Sequence, residues 1–291
     1  MNAPAPLAGA PHATPQARRS FSTGEVEVLE IGDGPELVLL LHAAAQNPRA
    51  MAGLAKRLAG PHRRILVPHL GPPPGAARAG AAATHGNPIR AYAALASACL
   101  REVPAERRVL VGHSMGALTA LLAAAEGAPH DRLVLYEPIV TAMLSADDPE
   151  DLALRKWDAE IVVHLEGRIA AGDPEPGVAG FVEAWNEIAW GRIPPPARAR
   201  MVADAPELAR LVRATSDFPL DRAMLAALPA PVTVLQGGAS PPVTRRMSER
   251  LAAALPAATL QVLDGCGHMG PVLQADAVAE SVEAMLAPAT D

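Results

Sequence analysis

Residues 108–117 read RVLVGHSMGA. Four residues rich in apolar side chains (108–111) have the pattern of a buried strand, and the Ala/Leu-rich stretch 115–126 has that of a helix. Between them Gly112-His113-Ser114-Met115-Gly116 fits the pattern G-x-S-x-G. A strand that passes straight into a helix must turn sharply. The turn holds its central residue in a strained backbone conformation and leaves no room for side chains at 112 and 116, so glycine stands there. The Ser114 hydroxyl is thereby pushed out at the strand's carboxyl end. The N-terminus of the following helix lies behind it, with backbone N–H groups for developing negative charge. This is the layout of a serine nucleophile.

Outward from this turn, short apolar runs alternate with longer helical ones. Residues 25–31 (EVEVLEI) alternate charged and apolar side chains, as a half-buried edge strand does, and 37–41 (LVLLL) are continuously apolar, as in a strand covered on both faces. A helix opens at Pro48 and runs to about Leu58, where Gly60-Pro61 end it. Strand 65–67, a Pro/Gly-rich loop over 68–80, a helix from Pro88 to about Glu102, the serine turn and strand 132–136 follow. From 138 to 228 no convincing buried strand occurs. The run Ile161-Val162-Val163 sits inside a helical pattern, and Phe181, Trp185 and Ile188 recur at helical spacing. The alternation resumes with strand 231–235, helix 244–255, strand 259–263 and a last helix over 275–287. Strands alternating with helices imply an α/β fold, a mostly parallel sheet with helices on both faces. The expected organisation is a disordered tail over 1–21, a core of 22–137 and 229–291, and a helical lid inserted at 138–228.

With the serine turn placed between strand and helix, the chain resembles the α/β-hydrolase family from about residue 22 to residue 287. The family places its general base on a loop after the last strand. Here 263–271 read LDGCGHMGP, so the resemblance implies that His268 is the base. The order of serine before histidine also matches. His113, beside the nucleophile, is common at this position and reads as structural.

The family's usual acid, an Asp after the seventh strand, is missing: the loop after 231–235 reads QGGASPPVT. Glu137, at the end of strand 132–136 in the run LYEPI, is the replacement that the resemblance offers. Some members, certain haloalkane dehalogenases among them, carry the acid after the strand that follows the nucleophile. The alternatives are Asp264, very close in sequence to His268, or a dyad in which Ser240 or a backbone carbonyl orients the imidazole.

Acyl transfer needs two donors for the oxyanion. The resemblance implies the N–H of Met115 and, from the run LLLHAAAQNP, that of Ala44. Ala43 stands where the family usually has Gly, which restricts the backbone. His42 and Ala43, with Met143 near the start of the insert and Trp185 within it, are the candidate substrate-binding residues, although for His42 a buried loop histidine bonded to backbone groups is the preferred role. All three tryptophans, Trp157, Trp185 and Trp190, fall in the insert, either as pocket wall or as the insert's own core. His69 and His85 read as loop histidines without partners spaced for a metal. No Gly-rich phosphate loop is present, so no cofactor is implied.

Composition narrows the partners. Twenty-five basic against 31 acidic residues leave a formal charge of −6, without a basic footprint for nucleic acid or an anionic membrane. Two cysteines, Cys99 and Cys266, make no disulfide framework. No apolar run reaches the length of a membrane span, and the N-terminal residues lack a signal-like apolar run. The expectation is a cytoplasmic enzyme acting on a small, mostly apolar ester, lactone or thioester through an acyl-serine, without metal. The oligomeric state is left open. Two other readings stand beside it: a C–C bond hydrolase or acyltransferase on the same site, and a non-catalytic binding protein with this fold.

Overall fold

The computed structural model describes residues 16–71, 86–186, 188–226, 228 and 231–286. Within them eight strands form one sheet: β1 (Gln16–Phe21), β2 (Gly24–Ile31), β3 (Glu36–Leu41), β4 (Arg63–Pro68), β5 (Arg107–His113), β6 (Arg132–Tyr136), β7 (Val232–Gly237) and β8 (Ala258–Leu263). Their order is β1-β2-β4-β3-β5-β6-β7-β8. β2 pairs antiparallel with β1 and β4, and every other pair is parallel.

The helices in chain order are α1 (Ala52–Leu58), α2 (Pro88–Glu102), α3 (Met115–Ala125), α4 (Pro149–Ala170), α5 (Pro174–Asn186), α6 (Pro195–Ala203), α7 (Ala205–Ser216), α8 (Arg222–Ala226), α9 (Pro242–Ala254), α10 (Gly270–Leu273) and α11 (Ala275–Leu286). Successive residues of β3 show why that strand is apolar throughout. Leu37, Leu39 and Leu41 pack with α2, α3 and α9, whereas Val38 and Leu40 pack with α1 and α11 on the opposite face. Side chains alternate across a strand, so a sheet covered on both sides needs apolar residues at every position.

Two expectations about the N-terminal region are corrected. Residues 16–21 belong to the sheet as β1, paired with β2 from Gln16↔Leu29 to Phe21↔Gly24, instead of to a tail. β2 is accordingly the second strand, not the edge. The signal was hidden because β1 is an edge strand rich in charge: Arg18 pairs with Glu25 and Arg19 with Glu30, and Phe21 is its buried anchor. The expected tail over 1–15 and most of the Pro/Gly-rich loop, with His85, lie outside the described residues.

Between β6 and β7 the chain leaves the sheet and forms α4 to α8. Ile161-Val162-Val163 lies within α4, where Val162 is buried and Val163 exposed, as successive residues of a helix are. Helix α5 covers Pro174–Asn186 among the described residues, and Ile188 is not helical. The insert has a small core of its own around Val162, Leu165, Val178, Val182, Leu208 and Trp190. It is tied to the sheet domain by charge. Asp148 caps α4 by accepting from the N–H groups of Glu150 and Asp151. Wholly buried Asp151 pairs with Arg246 at 2.6 Å and Arg250 at 2.8 Å, both on α9, and accepts from Ser145 N–H at 2.8 Å. Burial alone would raise the Asp151 carboxyl, but Arg246, that N–H and Arg250 outweigh it and hold it below the usual range.

Candidate active site

The parallel register brings three strand ends together. Leu41 of β3 pairs with Gly112 of β5, His113 of β5 with Tyr136 of β6, and Tyr136 with Leu235 of β7. The residues that follow, His42, Ser114 and Glu137, therefore emerge side by side at the carboxyl edge. β3 and β5 are also where the strand order reverses, and open α/β sheets bind ligands in the crevice at such a point.

Ser114 sits between β5 and α3 with φ 57° and ψ −119°, a conformation that L-residues rarely adopt. It is held by its N–H, which donates to Tyr136 O at 2.9 Å, and by tight packing. A Cβ at Gly112 would collide with the backbone of Gly116 and Ala117, and one at Gly116 with the carbonyls of Leu41 and His42. Glu137 is strained in the same sense, with φ 44°. Its N–H donates to Leu235 O at 3.0 Å, which fixes it to β7.

These side chains form a continuous chain of hydrogen bonds. His268 Nε2 lies 3.1 Å from Ser114 Oγ, and His268 Nδ1 lies 2.7 Å from Glu137 Oε2. The other carboxylate oxygen, Oε1, accepts from Gly237 N–H at 2.7 Å. Glu137 is fully buried, and His268 and Ser114 are 4% and 6% exposed. Gly237 N–H makes Oε1 an acceptor, and in the arrangement where Oε2 accepts from Nδ1–H the Nε2 atom presents a lone pair to the serine. Such a relay can take the hydroxyl proton as oxygen attacks a carbonyl carbon. The alternatives are not assembled. Asp264 is exposed and makes no hydrogen bond with His268, and Ser240 Oγ is buried without a partner among the described residues.

The loop that carries His268 is gripped from below. His113 Nε2–H donates to His268 O at 2.8 Å, and Tyr136 Oη–H donates to Gly267 O at 2.7 Å. Burial, with His268 nearby, holds the His113 imidazole well below its ordinary value, so it stays neutral and acts as a fixed donor. Burial likewise raises the Tyr136 phenol. Gly270 has no Cβ because one would overlap that phenol. Tyr136 had only the signature of a strand residue in the sequence, so its grip on this loop was not foreseen.

Above Ser114 lies a cavity of about 80 Å³ with mostly apolar walls. Met115, Ala43, Ala44 and Trp185 border it, as does His268. Among the described residues neither Met115 N–H nor Ala44 N–H donates to a protein acceptor, so both are free for a ligand. Ala43 has no positive φ. The left-handed residue of this loop is Ala45, at φ 59°, so the Gly-to-Ala change at 43 costs no backbone strain.

Two expected pocket residues are corrected. His42 does not border the cavity: it is fully buried, Nδ1–H donates to Ala43 O at 2.8 Å, and Nε2 accepts from Leu70 N–H at 2.9 Å. Burial lowers its pKa to about 3, so it is a neutral strut between two loops. Met143 is buried in the sheet-domain core and also lies away from the cavity. The tryptophans divide. Trp185 borders the cavity 5.7 Å from the His268 ring, Trp157 packs edge-on against Trp185, and Trp190 belongs to the insert's own core. Sequence spacing missed Phe181, Met201 and Val212, which also border the cavity, because which face of each inserted helix turns toward the sheet is set by packing between helices; Gln46, in the loop after β3, borders it as well. No cluster of three or more His, Cys, Asp or Glu side chains suited to a metal occurs among the described residues.

The sequence model of the alpha/beta hydrolase family matches residues 38–281, which include the serine turn, Glu137 and His268. The chain belongs to the α/β-hydrolase family. Solved structures with this fold cover nearly all of it. A bromoperoxidase from Bacillus anthracis superposes with a TM-score of 0.69 at 17% identity, covering 94% of this chain and 99% of its own. An esterase from Exiguobacterium antarcticum gives 0.71 at 16% identity, covering 92% and 98%. A hydrolase from Pseudomonas aeruginosa PA01 gives 0.70 at 22% identity, covering 95% and 100%. At these identities the likeness is one of fold. No curated protein matches by sequence. Among the described residues no helix of this α/β hydrolase is long and apolar enough to cross a membrane.

Proposed function

We propose that this α/β hydrolase is a serine hydrolase that cleaves a small, mostly apolar carboxylic ester, thioester or lactone through an acyl-serine. The observation that carries the reading is the relay from Ser114 Oγ through His268 to Glu137, buried beneath an apolar cavity. His268 Nε2 takes the hydroxyl proton as Ser114 Oγ attacks the carbonyl carbon. Glu137 holds the imidazole in the required tautomer and stabilises the imidazolium. The N–H groups of Met115 and Ala44 receive the oxyanion. The imidazolium then gives its proton to the departing alkoxide or thiolate. In the second half-reaction His268 activates water, which releases the acid and restores Ser114.

Room for a handful of water molecules favours a short acyl group. The inserted helices act as a lid over the serine, since Phe181, Trp185 and Val212 border the same cavity. The free, buried thiols of Cys99 and Cys266 suit a reducing compartment, and we assign the enzyme to the cytoplasm.

The test is intact-mass labelling with a fluorophosphonate, wild type beside Ser114→Ala. One adduct on the wild type and none on the variant, followed by turnover of p-nitrophenyl butyrate, is the expected result. A folded wild type that takes no label and turns over no ester in a short-chain panel would refute it.

A further inference from the structure

A second cavity, of about 400 Å³, opens beside the first. It lies between α4, the C-terminal end of α7 and the segment after β6, and Ser216 stands in the walls of both cavities. Its chemistry is different. The first is lined chiefly by apolar atoms, whereas the second has Asp158 among its lining residues, 2% exposed. The partners of that carboxylate are two hydroxyls at long distance, Thr141 Oγ1 at 3.3 Å and Ser216 Oγ at 3.4 Å.

No cation among the described residues forms an ion pair with Asp158: the charge of Arg213 favours its ionised form, but that of Asp217 opposes it. Arg213, on the same cavity wall, is committed to Glu166 through two bonds of 3.0 and 2.6 Å and lies 3.5 Å from Asp217. Arg155 is exposed and donates to Leu144 O at 3.1 Å. A buried carboxylate with only two weak donors is costly, and a positively charged donor would relieve most of that cost. Desolvation accordingly raises the carboxyl above its usual range. Val162 and Phe218 supply apolar wall for the methylene groups that would lead to such a donor.

We propose that this second cavity is a cation subsite of the same enzyme, in which Asp158 receives the primary ammonium group at the end of a substrate remote from its scissile bond. The inference rests on the ester-hydrolase reading and names the substrate class: an amine-bearing ester or thioester whose reacting carbonyl lies over Ser114 while its chain passes Ser216.

The experiment compares p-nitrophenyl ω-aminoalkanoates with p-nitrophenyl alkanoates of equal length, from four to eight chain atoms. At one of these lengths the wild type should prefer the ammonium ester by about tenfold or more in kcat/KM, the scale of a hydrogen bond to a charged group. Asp158→Asn should bring the ratio close to one and keep the rate on the neutral ester. Ala142→Lys, which places a competing ammonium at the cavity, should do the same without touching Asp158. Binding is read separately by calorimetry of hexylammonium with Ser114→Ala, and it should vanish when Asp158→Asn is added. A wild-type ratio under about twofold at every length, or a preference that survives both substitutions, would overturn the subsite. Hexylammonium binding without turnover of either ester would remove the ester-hydrolase reading and leave the cation site standing.

Discussion

Replacing Glu137 by Gln is the perturbation that separates this site from its alternatives. The substitution keeps size and shape, so the strained backbone at φ 44° and the contact with β7 survive. Glu137 makes two bonds, from Gly237 N–H at 2.7 Å and with His268 Nδ1 at 2.7 Å. In the variant the amide oxygen stays on Gly237 N–H, because a buried N–H without an acceptor is costly. The amide NH₂ must then face His268 Nδ1, which can only accept from it. That forces the imidazole proton to Nε2, 3.1 Å from Ser114 Oγ, where an acceptor is required. The wrong tautomer and the lost carboxylate together cost a relay of this kind about 10³- to 10⁴-fold in kcat, or ~4–5.5 kcal/mol of barrier. The assay is steady-state hydrolysis of p-nitrophenyl butyrate, with circular dichroism and a melting curve to establish the fold. A folded variant within threefold of the wild-type kcat would refute the role of Glu137, and Asp264→Asn would then be the next variant to make.

Three further perturbations test the supports of the site. Tyr136→Phe removes the bond to Gly267 O and should cost about 1 kcal/mol of stability, read by urea denaturation, with a several-fold fall in kcat as the His268 loop loosens; unchanged kcat would show that His113 alone holds the loop. Gly116→Ala should lower stability by about 2–3 kcal/mol by the same assay, because its Cβ would press on the carbonyls of Leu41 and His42; a neutral result would mean that the turn is not tightly packed. Arg246→Met should lower the melting temperature at pH 7 and by progressively less as pH falls below the usual carboxylate range. Asp151 titrates below its unfolded value, so its contribution is complete above the usual carboxylate range and is lost as pH falls through the lowered one; a pH-independent difference would refute the pairing.

Most of the fold is a local property of this sequence. Strand and helix periodicities, the Pro and Gly that bound them, and the glycines around Ser114 are set by short-range sterics and by the faces each element must bury, so residues 108–117 already specify a strand, a turn and a helix. The sequence also singled out Ser114, Glu137 and His268. Tertiary structure decided how they meet. Glu137 was one of several acid candidates in the sequence; the register of β5, β6 and β7 sets its strand end beside that of Ser114, and Asp264, four residues from His268, is exposed. β1 escaped notice because an edge strand carries charge instead of an apolar run. His42 and Met143 went to the interior, and Trp185 to the cavity, because the burial of a loop or an inserted helix depends on partners far away in the chain. Periodicity tells that a helix has an apolar face; only the packing of the other helices determines whether that face meets a core or a substrate.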